Sequence, residues 1–196
     1  MNLLPVISSP FNISPFTTFD PLNTSTYLTL SNGNLTASTN QVNQTDNSTI
    51  SAVGKSSGKW YCELTVTAHI GGFSGDYEIV GISKTFPADN VAIGSVAGQV
   101  GYISVNGHLL IANVGSAYAN VYVLSDVVSV VLDMNAGTLR YWVNGIDQGQ
   151  AATGLTGTYF IAVDCLAGTL ITAITANFGT SAWAYAPPAG FIGWTR

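Results

Sequence analysis

The stretch VVSVVLDMNAGTLRYWVNG, residues 127–145, decides the fold class of this chain. On both sides of its centre, apolar residues alternate with others: Val128, Val130 and Leu132, then Leu139, Tyr141 and Val143. Alternation of this kind is typical of strands that bury one face. Between the two runs, Asp133 can accept backbone N–H bonds and Gly137 can adopt the left-handed conformation that closes a turn. The stretch therefore predicts an antiparallel hairpin, followed at once by a second turn at Asn144 and Gly145.

Short strands and turns extend outward from this hairpin in both directions. Asn32 and Gly33 separate two alternating runs, which is a strong hairpin signal. Residues 60–67 predict a half-buried strand with Glu63 on its polar side, whereas residues 38–49 and 84–99 predict loops. Further strands are predicted at 77–83, 159–165 and 170–178. Because no window keeps helical spacing, the chain predicts an all-β antiparallel sandwich.

Composition narrows the class of partner. Of the 196 residues, 47% are hydrophobic and only 8% are charged, and 5 Lys+Arg against 10 Asp+Glu give a net charge of -5. This hydrophobic content argues against a disordered chain, and the scarcity of cations argues against nucleic acid or an anionic bilayer as partner. No stretch has the apolar length of a membrane span, and the N-terminus lacks the features of a secretory signal. We therefore expect no membrane insertion and synthesis in the cytoplasm.

Residues 1–26 differ from the rest of the chain. Prolines recur at positions 5, 10, 15 and 21, and three phenylalanines lie between them: Phe11, Phe16 and Phe19. Such proline density disfavours helices and central strands, so an extended arm is predicted for 1–26 and the sandwich for 27–196. The aromatic rings need a surface to lie on. The arm either packs on its own domain or docks onto a neighbouring subunit.

The sequence shows no catalytic or metal-binding pattern. Cys62 and Cys165 lie far apart in apolar runs, which favours buried free thiols over a disulfide, and no Cys or His spacing suits zinc. Residues 133–137 resemble part of a calcium loop, but the hairpin interpretation is stronger. We expect no metal and no cofactor.

Catalysis is also not expected. His69 and His108 stand beside predicted turns, and no nucleophile-elbow motif is present. Glycosidases need two facing carboxylates, and nothing in the pattern brings Glu63, Glu78 or Asp133 together on one face. The chain is therefore predicted not to be an enzyme.

Several sequence blocks resemble the SPRY domain family. In the family's order they are GKWYCEL (58–64), VGI (80–82), GY (101–102), VLD, GTL and VNG (within 131–145), NFG (177–179) and PPAGF (187–191). The resemblance covers about residues 50–191 and implies a concanavalin-like sandwich of two curved antiparallel sheets. Two positions depart from the pattern: Cys62 stands where an aromatic residue is common, and Arg140 where an uncharged residue is more usual.

A narrower resemblance concerns the ends of the chain. LSNGNLT (30–36), together with Ala182, Tyr185 and the PPAGF ending, is similar to SPRY proteins of tailed bacteriophages and prophages. This resemblance implies a non-enzymatic virion structural protein on the particle surface, either capsid decoration or a tail or fibre component. The arm would then bind other virion proteins in an oligomeric assembly, and the sandwich would contact a protein or a host glycan. The alternatives are a stand-alone peptide-binding adaptor and a secreted lectin-like carbohydrate-binding module.

Binding residues are expected in the loops at the edge of the sandwich, because rigid sheets hold such loops in place. The candidate loops are 69–76, 84–97 and 114–123. Aromatic rings beside acids suit sugars or peptides, by stacking and hydrogen bonding. The candidate ligand-binding residues are Phe73, Asp76, Phe86, Asp89, Tyr118 and Tyr122. Alternatively, these rings fill the bases of the loops.

Overall fold

The computed structural model describes residues 16–40, 45–68, 77–166 and 171–195. Within these ranges the chain forms fifteen β-strands and no α-helix, and so no helix there could cross a membrane. The strands form two antiparallel sheets that pack face to face. This confirms the predicted all-β, concanavalin-like sandwich.

The first sheet has seven strands in the order β1-β4-β13-β6-β7-β8-β9. Their bounds are β1 Phe19–Thr24, β4 Ser48–Ser51, β6 Tyr77–Ser83, β7 Gln99–Ile103, β8 His108–Ile111, β9 Val114–Ala117 and β13 Phe160–Leu166.

The second sheet has the order β12-β11-β10-β5-β14-β3-β2, with β15 pairing parallel to β5. Its strands are β2 Leu28–Ser31, β3 Thr36–Thr39, β5 Lys59–Ala68, β10 Val127–Asp133, β11 Thr138–Val143, β12 Ile146–Ala152, β14 Ala173–Asn177 and β15 Ile192–Gly193.

The hairpin that decided the fold class forms as predicted. β10 and β11 pair from Val128 opposite Val143 to Asp133 opposite Thr138. The Asp133 carboxylate accepts the N–H groups of Asn135 and Ala136, each at 3.0 Å. This closes the turn, which is therefore the hairpin turn favoured over a calcium loop. The predicted Asn32-Gly33 hairpin is likewise confirmed as β2–β3.

The start of the sandwich lies earlier than predicted. β1 belongs to the region assigned to the arm, yet it pairs with β4. Phe19 is fully buried in the core, where its ring meets Phe178 edge to face at a centroid distance of 5.6 Å. For residues 19–24 the arm therefore packs on its own domain. Phe16 is half exposed, and Phe11 lies outside the described residues.

The middle of β5, residues 61–64, is buried on both faces rather than half-buried as predicted. The chain after β14 folds back over the outer face of β5, where Trp183 meets Tyr61 edge to face at 4.9 Å. Glu63 accepts the N–H groups of Ala184 and Tyr185 at 2.9 and 2.8 Å. Glu63 is thus a buried, hydrogen-bonded acid that holds the C-terminal segment, and not a solvated one.

Some elements carry no local pattern that could predict them. β4 begins inside the predicted loop 38–49, and its four residues are all buried between β1 and β13. Strands buried on both faces lose their alternation, and serine and threonine hide this burial further. β7, β8 and β9 were missed in the same region of the first sheet. Both cysteines are buried free thiols, as expected.

The loop between β6 and β7 lies flat on the outer face of the first sheet. Its Ile93 fills a space that two facing glycines leave open, and a Cβ on Gly101 would come 2.2 Å from the Ile93 carbonyl oxygen. A Cβ on Gly81 would likewise come 2.8 Å from the Ile93 side chain. The glycines in the VGI and GY blocks therefore make room for this loop.

Replacing Phe19 tests the revised start of the domain. We expect Phe19→Ala to lower the free energy of unfolding by about 3–5 kcal/mol, because it leaves a cavity in the core. Phe16→Ala is the matched control and should change it by less than about 0.5 kcal/mol, since Phe16 is 46% exposed. Urea unfolding followed by tryptophan fluorescence measures both. Equal effects of the two changes would contradict the assignment of β1 to the sandwich.

Candidate functional site

Three segments meet at one end of the sandwich, and we call them the rim: residues 104–107, 118–126 and 144–146. Ala119 donates its N–H to the Gly107 carbonyl at 3.0 Å, and Tyr122 donates to the Ser104 carbonyl at 3.3 Å. Asp126 accepts the Asn144 side-chain amide at 2.7 Å. The loop 118–126 is thus tied on both sides, and the rim is one continuous surface.

Four tyrosines fix this loop to the two sheets. Tyr102 of β7 meets Tyr141 of β11 at a centroid distance of 5.3 Å, which joins the first sheet to the second. Tyr118 and Tyr122 of the loop pack on Tyr102 at 5.3 and 5.1 Å. We call these four residues the tyrosine cluster. Aromatic contacts at these distances stabilise the structure beyond the area that they bury.

The hydroxyls of the cluster complete the anchoring. The Tyr122 hydroxyl accepts the Val80 N–H at 3.2 Å and lies 3.0 and 2.8 Å from the carbonyl oxygens of Glu78 and Tyr102. The Tyr118 hydroxyl donates to the Gly149 carbonyl at 2.7 Å. Burial raises the pKa of Tyr122 well above its ordinary value and that of Tyr118 to about 12. Both therefore stay protonated as donors at neutral pH.

The structure buries one of the predicted binding aromatics, Tyr122, and leaves Phe86 and Tyr118 partly exposed. Tyr122 is buried, so its ring cannot be offered to a ligand, and the ring of Tyr118 belongs to the cluster. Phe86 packs beneath the β6–β7 loop beside the Ile93 side chain. Phe86 and Tyr118 are partly buried, and their role in ligand binding stays a prediction. Asp89 is exposed near the tip of its loop, and Phe73 and Asp76 lie outside the described residues.

The rim instead presents aliphatic side chains to solvent. Five of them are 47–66% exposed: Val105, Val121, Val123, Leu124 and Ile146. Large apolar groups grouped at one place on a surface mark interaction sites. The sequence analysis did not predict these five side chains as binding residues, because it expected aromatic rings to contact the ligand. The available signal was the pattern VYVL at 121–124, in which valines flank a tyrosine that the fold buries.

Charge is divided between the two ends of the sandwich. In the part of the chain that the structure describes, the three lysines lie away from the rim, with Lys59 paired to Asp133 at 3.2 Å. Arg140 is paired with Asp147 at 2.6 Å. Asp126 belongs to the rim, and Asp46 and Asp89 lie toward the same end. The rim therefore combines aliphatic groups with one acid, Asp126.

A pair of carboxyls, one fully buried and one partly buried, lies beside the β6–β7 loop and was not predicted from the sequence. Asp164 of β13 is fully buried and accepts the Asn47 N–H at 2.8 Å and the Ile93 N–H at 3.4 Å. Asp46 accepts the Tyr77 hydroxyl at 2.7 Å. Burial raises the pKa of both carboxyls, and Asp46 raises that of Asp164 further. The Asp164 carboxylate links the loop to β13 through the Ile93 N–H, and the backbone carbonyl of Asp46 accepts the Asn90 N–H of the same loop at 3.1 Å.

The candidate catalytic acids do not form a pair. Glu63 lies opposite Ser129 and Asp133 opposite Lys59 in the same ladder, and so the two acids are about 13 Å apart along the strands. This is wider than the spacing of glycosidase carboxylates. In the described ranges, no group of three or more His, Cys, Asp or Glu could hold a metal ion.

Solved structures share this architecture. The SPRY domain of human HERC1 matches with a TM-score of 0.69 at 18% identity, over 81% of this chain and 96% of that one. A human SPRY domain matches with a TM-score of 0.65 at 13% identity, over 80% and 98%. Stonustoxin matches with a TM-score of 0.63 at 19% identity, over 83% of this chain but 27% of its own. The chain therefore has the SPRY-type β-sandwich fold.

Neither the family models nor the curated proteins contain a match to this sequence. The likeness to the solved structures therefore concerns the fold.

Asp46 and Asp164 lead us to expect that the free energy of unfolding changes with pH. Because the folded protein raises the pKa of Asp164, the stability of the native state should fall as pH rises above about 4. Asp164→Asn keeps an acceptor for the Asn47 N–H but cannot ionise, and so this fall should become smaller. Urea unfolding at a series of pH values measures it, with the exposed Asp89→Asn as control. Parallel pH profiles of Asp164→Asn and the unchanged chain would contradict this account.

Proposed function

We propose that this chain is a non-enzymatic binding module that docks a protein partner through the rim. The observation that carries the proposal is the group of five exposed aliphatic side chains on the rim, three of them on the loop 118–126 that the tyrosine cluster holds. A preformed apolar surface binds with little loss of conformational entropy. Exposed valine and leucine gain free energy when a partner removes them from water.

The chemistry of the rim favours protein over glycan. Sugars are usually held by exposed aromatic faces that stack on the ring. In the described part of the rim the tyrosine rings lie inside, and the exposed groups are aliphatic. Such groups suit the apolar side chains of a protein. The acids toward the same end add a preference for a partner that carries lysine or arginine.

The proposed setting is the surface of a tailed-phage particle, as capsid decoration or a tail or fibre component. Its support is the sequence resemblance of residues 30–36 and 182–191. Attachment to other virion proteins would fall to the part of the arm that precedes β1, because β1 belongs to the sandwich. A peptide-binding adaptor would use the same rim with a different partner, and the SPRY-type fold supports this second candidate equally.

A peptide selection tests the rim. A displayed library of random peptides selected on the immobilised protein should yield apolar sequences flanked by Lys or Arg. We expect Leu124→Lys to weaken the selected peptides at least about tenfold, since it removes an apolar contact and reverses the local charge. Ile192→Lys is the matched control, because Ile192 is comparably exposed at the other end of the sandwich. Isothermal titration calorimetry gives the dissociation constants.

Two further arms separate the alternatives. We expect this chain to bind no sugar on a glycan array. If it binds a glycan and Leu124→Lys abolishes that binding, the ligand of the rim is a sugar and not a protein. Mass spectrometry of particles purified from a culture that produces this chain tests the setting. Absence of the chain from particles would remove the virion role and leave rim docking by an adaptor.

A further inference from the structure

β9 is an edge strand whose four residues are all exposed. It pairs with β8, from Val114 opposite Ile111 to Ala117 opposite His108, and no other described strand pairs with it. An unpaired strand edge presents backbone N–H and C=O groups that can join another strand. This edge lies at the far side of the first sheet from β1.

The geometry of the β8–β9 turn shows which groups face outward. The two turn residues, Ala112 and Asn113, both have positive φ, which is typical of a two-residue type I′ hairpin. In such a turn the Val114 N–H points back toward Ile111. Because inward and outward pairs alternate along an antiparallel strand, Gly115 and Ala117 direct their N–H and C=O groups away from β8.

The other sheet edges carry protective features that β9 lacks. β1 contains Pro21 and an irregular register with β4. β12 has irregular pairing with β11 and the Arg140–Asp147 ion pair. β2, at the edge of the second sheet, lies next to β1, because the Phe19 N–H donates to the carbonyl of Asn34 in the β2–β3 turn at 2.9 Å. Proline, bulges and charges are the usual means of preventing edge pairing.

The sequence around β9 adds nothing to prevent pairing. Residues 109–125 contain no Asp, Glu, Lys, Arg or His. A Cβ on Gly115 would meet no atom within 4 Å, so no other part of the described chain covers the face of the sheet at this position. The edge thus suits an extended, uncharged segment without proline.

We propose that β9 pairs antiparallel with β9 of a second copy of this chain, about a twofold axis at Ser116. The second copy is the occupant because its own β9 is extended, uncharged, free of proline and equally unpaired. With Ser116 opposite Ser116, Gly115 of one copy faces Ala117 of the other, so the outward N–H and C=O groups of both strands are used. The first sheet then continues through both copies. This interface leaves the rim to a separate partner.

The small interface and the net charge of each copy determine how dimer formation should depend on protein and salt concentration. A four-residue strand gives a small interface, so we expect a reversible dimer with a dissociation constant in roughly the micromolar to millimolar range. Each copy carries a net charge of -5, and β9 offers no ion pair. Salt screens repulsion between the copies, and so association should strengthen as salt is added.

Sedimentation velocity of the full chain tests the proposal. The sedimentation coefficient should rise from monomer to dimer between roughly 1 µM and 1 mM. Ser116→Lys and Ser116→Glu should each remain monomeric, because like charges would meet at the axis. An equimolar mixture of Ser116→Lys and Ser116→Glu should form the dimer again. Ser116 is exposed, so unchanged thermal unfolding of each variant confirms that it folds.

Gln150→Lys, on the exposed edge of β12, is the matched control and should still form dimers. A chain that stays monomeric at all concentrations would overturn the proposal. So would a dimer that survives Ser116→Lys, or one that Leu124→Lys abolishes, since the latter would place the contact at the rim. Failure of this test leaves the peptide selection on the rim unaffected, because the two surfaces are changed by different substitutions.

Discussion

Packing of Tyr102 against Tyr141 is the contact on which the candidate site depends. One ring comes from each sheet, so the contact holds the two layers in fixed relation at the end where the rim lies. Tyr118 meets both rings edge to face, Tyr122 contacts Tyr102, and the two carry the loop 118–126 with them. Because the Tyr122 ring points inward, Val121 and Val123 on either side of it face outward. The rim is therefore a consequence of core packing and not of loop sequence alone.

Long segments outside the sheets stabilise the scaffold beneath this site. Glu63 holds the C-terminal segment over β5, and Asp164 holds the β6–β7 loop over the first sheet. In both cases a buried carboxyl accepts backbone N–H groups, which would otherwise be left without partners. Covering the outer faces in this way leaves the five aliphatic side chains of the rim exposed and the edge of β9 without a neighbouring strand in the described ranges.

The sequence predicts the elements whose signals are local. Asn32-Gly33 and residues 127–145 predict their hairpins because turn chemistry and alternation are both short-range. β4 could not be predicted, since its burial comes from β1 and β13, distant in sequence. Tyr122 was expected at the surface for the same reason: its burial depends on Tyr102 and Val80. The outward direction of the rim valines could be inferred only after the Tyr122 ring was known to be buried.

Native-state hydrogen exchange of the rim amides tests the central claim, that the tyrosine cluster preforms the binding surface. The Tyr122 N–H bonds to Ser104, and the Val123 N–H bonds to the Asp126 carboxylate at 2.8 Å. We expect both amides to exchange nearly as slowly as those of β10, and Tyr122→Phe to accelerate them. Exchange at the rate of an open loop in the unchanged chain would contradict a preformed rim.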